Sequence, residues 1–280
     1  MVDLPPVASN VFRPDTRHEQ TVAFMVMLLD LQDADRSIRR LRDWAIDTAE
    51  VGRGDVVVDV GSGTGTMARE LAGLVGPAGR VTGVEPNPVL RELAEERTRE
   101  AGSGATFVDA LASALPLADA SVDVVWCERV LQHLEDPQAA VTEFARVLRP
   151  GGRALLLDSD HATRITSDLD RDVETKLNRA FTDRLPSPFV GRSIRRLGVT
   201  AGLEVDEDVG AAVLVMTPAI MRDAPMVRQT GAQAIANGTI SAAQLETALA
   251  RIRAAADAGW AFSAVTIFGF CARRPAAETA

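Results

Sequence analysis

The sequence predicts an α/β protein built on a doubly wound, mostly parallel sheet. From residue 55 onward, short apolar segments alternate along the chain with segments of helical periodicity. The apolar segments are nearly continuous, which is typical of parallel strands covered by helices on both faces. Right-handed crossover connections then distribute the intervening helices over the two sides of the sheet.

The segments with strand character predict a seven-stranded sheet. The alternating region contains five of them, at residues 56–60, 80–85, 105–110, 122–128 and 152–158. Helical segments lie between them, including residues 66–75, 87–101 and 137–150. Two more strands are expected near the end of the chain, one after the helical segment that begins at residue 193 and one at residues 262–274.

The residues before the alternating region predict an arm followed by helix. Residues 1–17 are polar and rich in proline, and we expect them to form a loose arm. Residues 21–49 have helical periodicity and are expected to form a pair of helices, with Ser37 as a plausible N-cap within them.

After Asp158 the alternation of strands and helices stops. The polar, mixed residues 159–190 are interpreted as largely irregular structure. Residues 218–258 are predicted to be helical, with Ser241 as an N-cap and Gly259 as the C-terminal stop. This places a helical insertion between the last two strands.

These segments divide the chain into four parts. We expect N-terminal helices at residues 1–50, an α/β core at 51–215, a helical insertion at 216–261, and a final strand with a tail at 262–280. The first and third parts are expected to form a lid over the ligand edge of the sheet. Their methionine and aromatic residues either line an apolar pocket or pack as ordinary core, and the sequence leaves both open: Phe24, Met25, Met27, Met216, Met221, Met226, Trp260 and Phe262.

Composition excludes several classes of protein. The net charge of −9 argues against a general affinity for nucleic acid, and the short basic clusters are typical of solvated helix faces. Two widely spaced cysteines argue against a disulfide framework and favour a reducing cytoplasm. The first residues lack the features of a signal peptide, and no apolar run is long enough to span a membrane.

The turn after the first strand points to a ligand. Gly61, Gly63 and Gly65 permit left-handed backbone conformations and remove Cβ atoms that would collide with a bound group. In an open α/β sheet, ligands bind beyond the carboxyl ends of the strands. Thr66 stands where the dinucleotide fingerprint has its third glycine, and no Gly-Lys-Ser/Thr follows, so both of those motifs fail.

Acidic residues occur at the ends of three successive predicted strands. They are Asp59, Glu85 and Asp109. A carboxylate after the second strand is well placed to accept both hydroxyls of a ribose, and an acceptor after the third suits an adenine amino group. An NAD site would explain Glu85 but not Asp109. The residues therefore predict a nucleoside pocket.

Four segments together resemble class I S-adenosylmethionine-dependent methyltransferases. They are VVDVGSGTG, VTGVEPNP, FVDALASALPLADASVDVVWCERVLQHLEDP and ARVLRPGG, within residues 50–158. The resemblance is strongest to small-molecule methyltransferases related to ubiquinone and menaquinone biosynthesis. It implies a Rossmann-like fold with S-adenosylmethionine as cofactor and S-adenosylhomocysteine as product.

The resemblance also implies roles for individual residues. The segment Gly61, Ser62, Gly63 and Gly65 would cradle the methionine part of the cofactor, with Asp59 beneath it. The other implied contacts are Glu85 to the ribose, Pro86 and Asn87 beside the adenine, Asp109 and Ala110 at the adenine edge, and Cys127, Glu128 and Arg129 as the floor beside the sulfonium.

Two histidines are candidates for a catalytic base. His133 follows the fourth predicted strand and His161 follows the fifth, so both are expected near the transferred methyl group. A structural or orienting role is the alternative for His133. A metal site formed by Asp158, Asp160 and His161 is disfavoured against a polar active-site loop, so no metal is expected.

These observations predict a cytoplasmic methyltransferase that acts on O, C or N of a small, fairly apolar organic acceptor. A natural-product or quinone-like intermediate fits best. The alternative is a relative of the fold that binds S-adenosylmethionine and catalyses a non-methylating cyclisation or rearrangement. No nucleic acid or membrane partner is expected, and a homodimer is plausible.

Overall fold

A computed structural model describes residues 15–16 and 19–276 of the chain. The expected N-terminal arm lies outside the described residues except for Asp15 and Thr16. The strands are β1 Val56–Val60, β2 Arg80–Val84, β3 Thr106–Val108, β4 Val122–Glu128, β5 Leu148–Thr166, β6 Glu204–Met216 and β7 Ser263–Arg273. The helices are α1 Glu19–Ala34, α2 Arg36–Thr48, α3 Thr66–Val75, α4 Pro88–Glu100, α5 Pro137–Val147, α6 Arg171–Thr182, α7 Ile194–Thr200, α8 Pro218–Met221, α9 Pro225–Ala236 and α10 Ala242–Asp257.

The strands form one seven-stranded sheet in the order β3-β2-β1-β4-β5-β7-β6. Strands β1 to β5 pair in parallel, whereas β7 runs antiparallel to both β5 and β6. The predicted α/β fold with a mostly parallel seven-stranded sheet is therefore confirmed. Because β1 lies between β2 and β4, the carboxyl ends of these three strands meet at one edge of the sheet.

Helices cover both faces of the sheet, as the near-continuous apolar strands predict. On one face, Phe144 of α5 and Ile194 of α7 pack against β4 and β5. On the other, Ile38 and Leu41 of α2 and Leu71 of α3 pack around the fully buried Trp126. Burial of side chains of this size contributes about 1.5–3 kcal/mol each, so these two layers supply most of the stability of the core.

The three helices between β6 and β7 form a layer with its own apolar cluster. Their buried residues, such as Ile252 of α10 and Val227 of α9, pack with Val173 and Leu177 of α6. The predicted start and end of the last helix are confirmed. Ser241 forms a capping box with Gln244, and Gly259 follows the helix with a φ of +85°.

Two sequence-based predictions are wrong. Asp35, not Ser37, caps α2, because its carboxylate accepts the backbone N–H groups of Ser37 and Ile38. The predicted pair of N-terminal helices is itself present, and the two helices meet at Asp35.

The strand predicted to end at Asp158 continues to Thr166, and α6 follows it within the segment interpreted as irregular. The extension is rich in polar residues and so lacks the apolar pattern that predicts a buried strand. Asp158, Ser159 and Asp160 are nevertheless buried and pair with β7. Both buried carboxylates have hydrogen-bond partners. Asp158 accepts from the backbone N–H groups of Ser159 and Gln132, and the Asp160 carboxylate pairs with Arg192.

Candidate functional site

The glycine turn after β1 is held against the end of β2. The N–H groups of Gly61 and Ser62 donate to the carbonyl of Val84 at 2.7 and 3.1 Å. Gly61, Gly63 and Gly65 all have positive φ, at 68°, 54° and 75°. A Cβ atom at Gly61 would also collide with the side chain of Val130. The turn therefore requires glycine both for its conformation and for its close packing against the segment after β4.

Glu85 lies directly beside this turn. Its carboxylate accepts the backbone N–H groups of Gly63 and Asn87, both at 2.9 Å, and only 7% of the residue is exposed. Burial raises the pKa of Glu85, and the two backbone hydrogen bonds oppose that shift. The carboxylate is thus oriented by the backbone at the edge of the sheet, in a geometry that suits a pair of vicinal hydroxyls.

Asp59 lies beneath the turn, buried within β1. Its Oδ2 atom has no hydrogen-bond partner among the described residues. Burial, with a smaller contribution from Glu128, raises the pKa of Asp59 to about 7. An unpartnered buried carboxyl group next to a glycine turn is suited to receive a cationic group of a ligand.

A buried ion-pair network connects the N-terminal helices to the end of β4. The Arg42 guanidinium contacts Asp33 of α1 at 2.7 Å and Glu128 of β4 at 2.8 Å. Burial alone would raise the pKa of Glu128, but Arg42 and Arg129 hold it below its usual range. Arg129, directly after β4, has a φ of 55°, a strained conformation for a side chain of this size.

The other residues implied by the resemblance occupy different positions around the same edge. Pro86, Asn87 and Ala110 line the cavity described below. The Asp109 carboxylate is two-thirds exposed and lies 3.4 Å from Arg91, outside the cavity lining. Cys127 is fully buried in the apolar core, where burial raises the pKa of its thiol well above the usual value.

A cavity of about 370 Å³ extends from the glycine turn to the helices between β6 and β7. At one end it is lined by Gly61, Gly63 and Glu85, and at the other by α6, α8 and α9. All five methionines singled out in the sequence line it: Met25, Met27, Met216, Met221 and Met226. Phe24, Trp260 and Phe262 do not line it, and Trp260 is 66% exposed.

Both candidate histidines line this cavity. His133 lies in a 3₁₀ turn after β4, and His161 lies in the extension of β5. Burial lowers the pKa of His133 to about 4 and that of His161 to about 3, with smaller contributions from nearby arginines. Both imidazoles are therefore neutral at physiological pH.

Gln132, which the sequence did not single out, fixes the tautomer of His161. Its side-chain amide donates to the carbonyl of Arg129 at 3.2 Å, so its Oε1 atom faces His161. His161 Nε2–H then donates to that oxygen at 2.7 Å. This leaves Nδ1 of His161 as a bare acceptor, and no described residue donates to it.

Sequence reasoning also missed Arg164 and Phe181, which line the far end of the cavity. Both belong to the segment interpreted as irregular, and only recognition of the strand continuing past Asp158 would have drawn attention to them.

The described residues contain no group of three or more His, Cys, Asp and Glu side chains arranged to hold a metal ion. Within the same part of the chain, every helix is too short or too polar to cross a bilayer.

Comparisons with known proteins agree with this geometry. Residues 58–156 match the family described as a methyltransferase domain. An uncharacterized 37.1 kDa protein in transposon Tn4556 of Streptomyces fradiae is 31% identical over 253 residues, which cover 89% of this chain and 71% of that protein.

The ubiquinone/menaquinone biosynthesis C-methyltransferase UbiE of Hahella chejuensis is 36% identical over 129 residues, which cover 45% of this chain and 52% of that enzyme. The chain thus spans about half the length of the UbiE relatives it matches. The crystal structure of the [4+2]-cyclase SpnF is similar with a TM-score of 0.54 and 22% identity, over 86% of this chain and 82% of SpnF. At that identity, the likeness concerns the fold.

The raised pKa of Asp59 predicts a pH-dependent stability. In the unfolded chain this carboxyl group titrates near its ordinary value, so between pH ~4 and 7 the folded state binds the extra proton. The contribution of protonated Asp59 to the stability of the fold is complete below pH ~4 and is lost as the pH rises through 7. Asparagine stays neutral at every pH, so Asp59→Asn does not lose this stability. We expect its free energy of unfolding to exceed that of the wild type by roughly 1 kcal/mol at pH 4.5, rising to about 4 kcal/mol near pH 8.

Urea denaturation at several pH values measures this difference. Asp47→Asn, which removes an exposed carboxylate from α2, is the matched control. Parallel pH profiles for wild type and Asp59→Asn would show that Asp59 is ionised in the folded protein throughout this range.

Proposed function

The chain belongs to the class I S-adenosylmethionine-dependent methyltransferases, and we propose that it methylates O, C or N of a small, fairly apolar organic acceptor. The observation that carries the proposal is the single cavity that joins the glycine turn and Glu85 to a compartment lined by methionines. Apolar, adaptable walls favour an acceptor with a substantial hydrocarbon body. The net charge of −9 supports a small molecule over nucleic acid.

The buried polar groups at the glycine turn fit the cofactor. We assign the methionine part to Gly61, Ser62, Gly63 and Gly65, with the unpartnered Asp59 carboxyl group below it. When bound, S-adenosylmethionine supplies an activated methyl group on a sulfonium whose leaving group is a neutral thioether. The chain itself must therefore orient the acceptor and exclude water, and orientation of this kind contributes roughly 7–11 kcal/mol in favourable cases.

The remaining donor contacts follow from the edge of the sheet. We assign the ribose hydroxyls to Glu85, whose orientation by two backbone N–H groups supports this role. The adenine is assigned to Pro86, Asn87 and Ala110, which line the cavity, and Asp109 is proposed at the outer adenine edge. Cys127, Glu128 and Arg129 are proposed as the floor at the end of β4, where Glu128 and Arg129 line the cavity directly.

The acceptor is proposed to lie between the histidines and the helical insertion. Residues 1–50 and 216–261 then act as the lid, which is supported by the presence of α1, α8 and α9 residues in the cavity wall. His161 is proposed as a hydrogen-bond acceptor, because its Nε2–H is used by Gln132 and its Nδ1 accepts from no described residue. Its low pKa suits an acceptor group that is already acidic, and a simple alcohol would need a stronger base.

A non-methylating cyclisation is the second candidate function. The structural likeness to the cyclase SpnF keeps it open, although at 22% identity that likeness extends only to the fold. A natural-product or quinone-like acceptor, action in the cytoplasm and a homodimeric state belong to the proposal. The similarity to UbiE supports the first of these, because that relative is a C-methyltransferase of ubiquinone and menaquinone biosynthesis.

Product mass distinguishes the two candidates. We expect incubation of the protein with S-adenosylmethionine and a fractionated pool of apolar small molecules to release S-adenosylhomocysteine in step with a product heavier by one methylene unit. The Glu85→Gln variant provides the background rate. A product of unchanged mass, formed without S-adenosylhomocysteine, would instead identify a cyclase or isomerase.

Replacement of Glu85 tests the donor site. Glu85→Gln keeps the shape of the side chain but removes its charge and turns one acceptor oxygen into a donor. We expect S-adenosylhomocysteine to bind about 10- to 100-fold more weakly, as measured by titration calorimetry. Glu96→Gln, on the exposed face of α4, is the matched control. Equal affinities for the two variants would remove Glu85 from the ribose site.

The two histidines are separable by kinetics. If one imidazole takes a proton during transfer, its replacement by alanine lowers turnover by roughly 10²-fold or more, while S-adenosylhomocysteine affinity stays unchanged. Because both pKa values lie at about 4 or below, wild-type turnover should show no loss from imidazole protonation between pH 8 and 5. Wild-type rates in both His133→Ala and His161→Ala would exclude an imidazole base.

A further inference from the structure

Arg164 is a cation in the cavity wall without a countercharge. No described carboxylate lies within ion-pair distance of its guanidinium, and its side chain donates no hydrogen bond to any described residue. The side chain reaches over the ring of Phe181, with 4.1 Å between the guanidinium carbon and the ring centroid. Arg164 is half-buried, and a half-buried arginine without a countercharge in a cavity wall indicates a partner that arrives with the ligand.

Arg164 lines the cavity from an irregular part of β5. The register between β5 and β7 shifts between Asp160 and Ile165, so His161 and Arg164 lie in a bulged part of β5. Bulges redirect side chains and often occur beside binding sites. Phe181 of α6 supports both residues, because its ring also lies 4.9 Å from that of His161. The guanidinium of Arg164 and the imidazole of His161 therefore both pack against the ring of Phe181.

Charge is unevenly distributed along the cavity. The acidic residues in its wall, Glu85 and Glu128, both lie at the glycine-turn end. At the far end the charged residue is Arg164, and Arg184 lies close enough to lower its pKa further. Burial, which has the larger effect, together with Arg184 lowers the pKa of Arg164 to about 10, so the side chain stays charged at neutral pH. The far end thus combines apolar walls with positive charge.

We propose that Arg164 binds a carboxylate on the acceptor, so that the acceptor is an apolar organic acid. The inference rests on the proposed function, which places the acceptor at this end of the cavity. A guanidinium donates two parallel N–H bonds to a carboxylate, and the ring of Phe181 restrains its plane. The acid group would then fix the hydrocarbon body between the methionines and the reacting atom beside His161.

Binding of simple probes tests this without knowledge of the acceptor. The protein is saturated with S-adenosylhomocysteine and titrated with octanoate or 1-octanol, which share a hydrocarbon chain and differ in the acid group. We expect octanoate to bind at least about tenfold more tightly than octanol to the wild-type protein. Arg164→Met should abolish the preference and leave octanol affinity unchanged. Arg164→Lys should retain a smaller preference, because it keeps the charge without the bidentate geometry.

Arg251→Met, on the exposed face of α10, is the matched control and should bind both probes as wild type does. Equal affinities for octanoate and octanol in the wild-type protein, no octanoate binding, or a preference retained by Arg164→Met would overturn the inference. The initial binding of S-adenosylhomocysteine separates a failure of this inference from a failure of the proposed function. Failure of the wild-type protein to bind S-adenosylhomocysteine contradicts the methyltransferase proposal, whereas normal binding without an acid preference contradicts only the role of Arg164.

Discussion

The parallel pairing of β1 with both β2 and β4 is the constraint on which the site depends. Since all three strands run the same way, the glycine turn, Glu85 and Arg129 emerge at one edge regardless of how far apart they lie in sequence. Backbone hydrogen bonds then complete the arrangement, because the turn donates to Val84 and Glu85 accepts from Gly63. The glycine-turn end of the cavity is therefore built mainly from main-chain geometry.

Burial of charged groups at this edge of the sheet is unfavourable, and Glu128 and Asp59 respond to it in different ways. Arg42 offsets it for Glu128 by pairing with that carboxylate and with Asp33, which also fixes α1 and α2 against the end of β4. Asp59 receives no such partner and responds through its raised pKa. A buried pair adds little net stability, whereas an unpaired group destabilises the protein until a ligand compensates it. The contrast between Glu128 and Asp59 thus separates a structural carboxylate from one suited to binding.

The arrangement at the glycine-turn end of the cavity was largely predictable from the sequence, and the arrangement around His161 and Arg164 was not. Glycines at Gly61 and Gly63 and an acid at Glu85 carry local signals, since few other residue types satisfy those backbone positions. The extension of β5 gives no such local signal, because Asp158 and Asp160 are polar residues in a buried strand. Their hydrogen-bond partners, Gln132 and Arg192, are remote in sequence. The N-cap of α2 was misplaced for a simpler reason, since Asp35 and Ser37 are both good capping residues and only geometry decides between them.

The same division explains what the family relationship does and does not determine. The methyltransferase domain match ends at residue 156, before His161, Arg164 and Phe181. These residues lie in the bulged part of β5 and in α6, and α6 packs with the helices between β6 and β7 as a cluster separate from the two faces of the sheet. Because that layer shares little of its core with the strands that carry the glycine turn, it can change in shape and charge without disturbing that turn. Under the proposed function, acceptor specificity would then depend on the part of the chain that lies beyond the methyltransferase domain match.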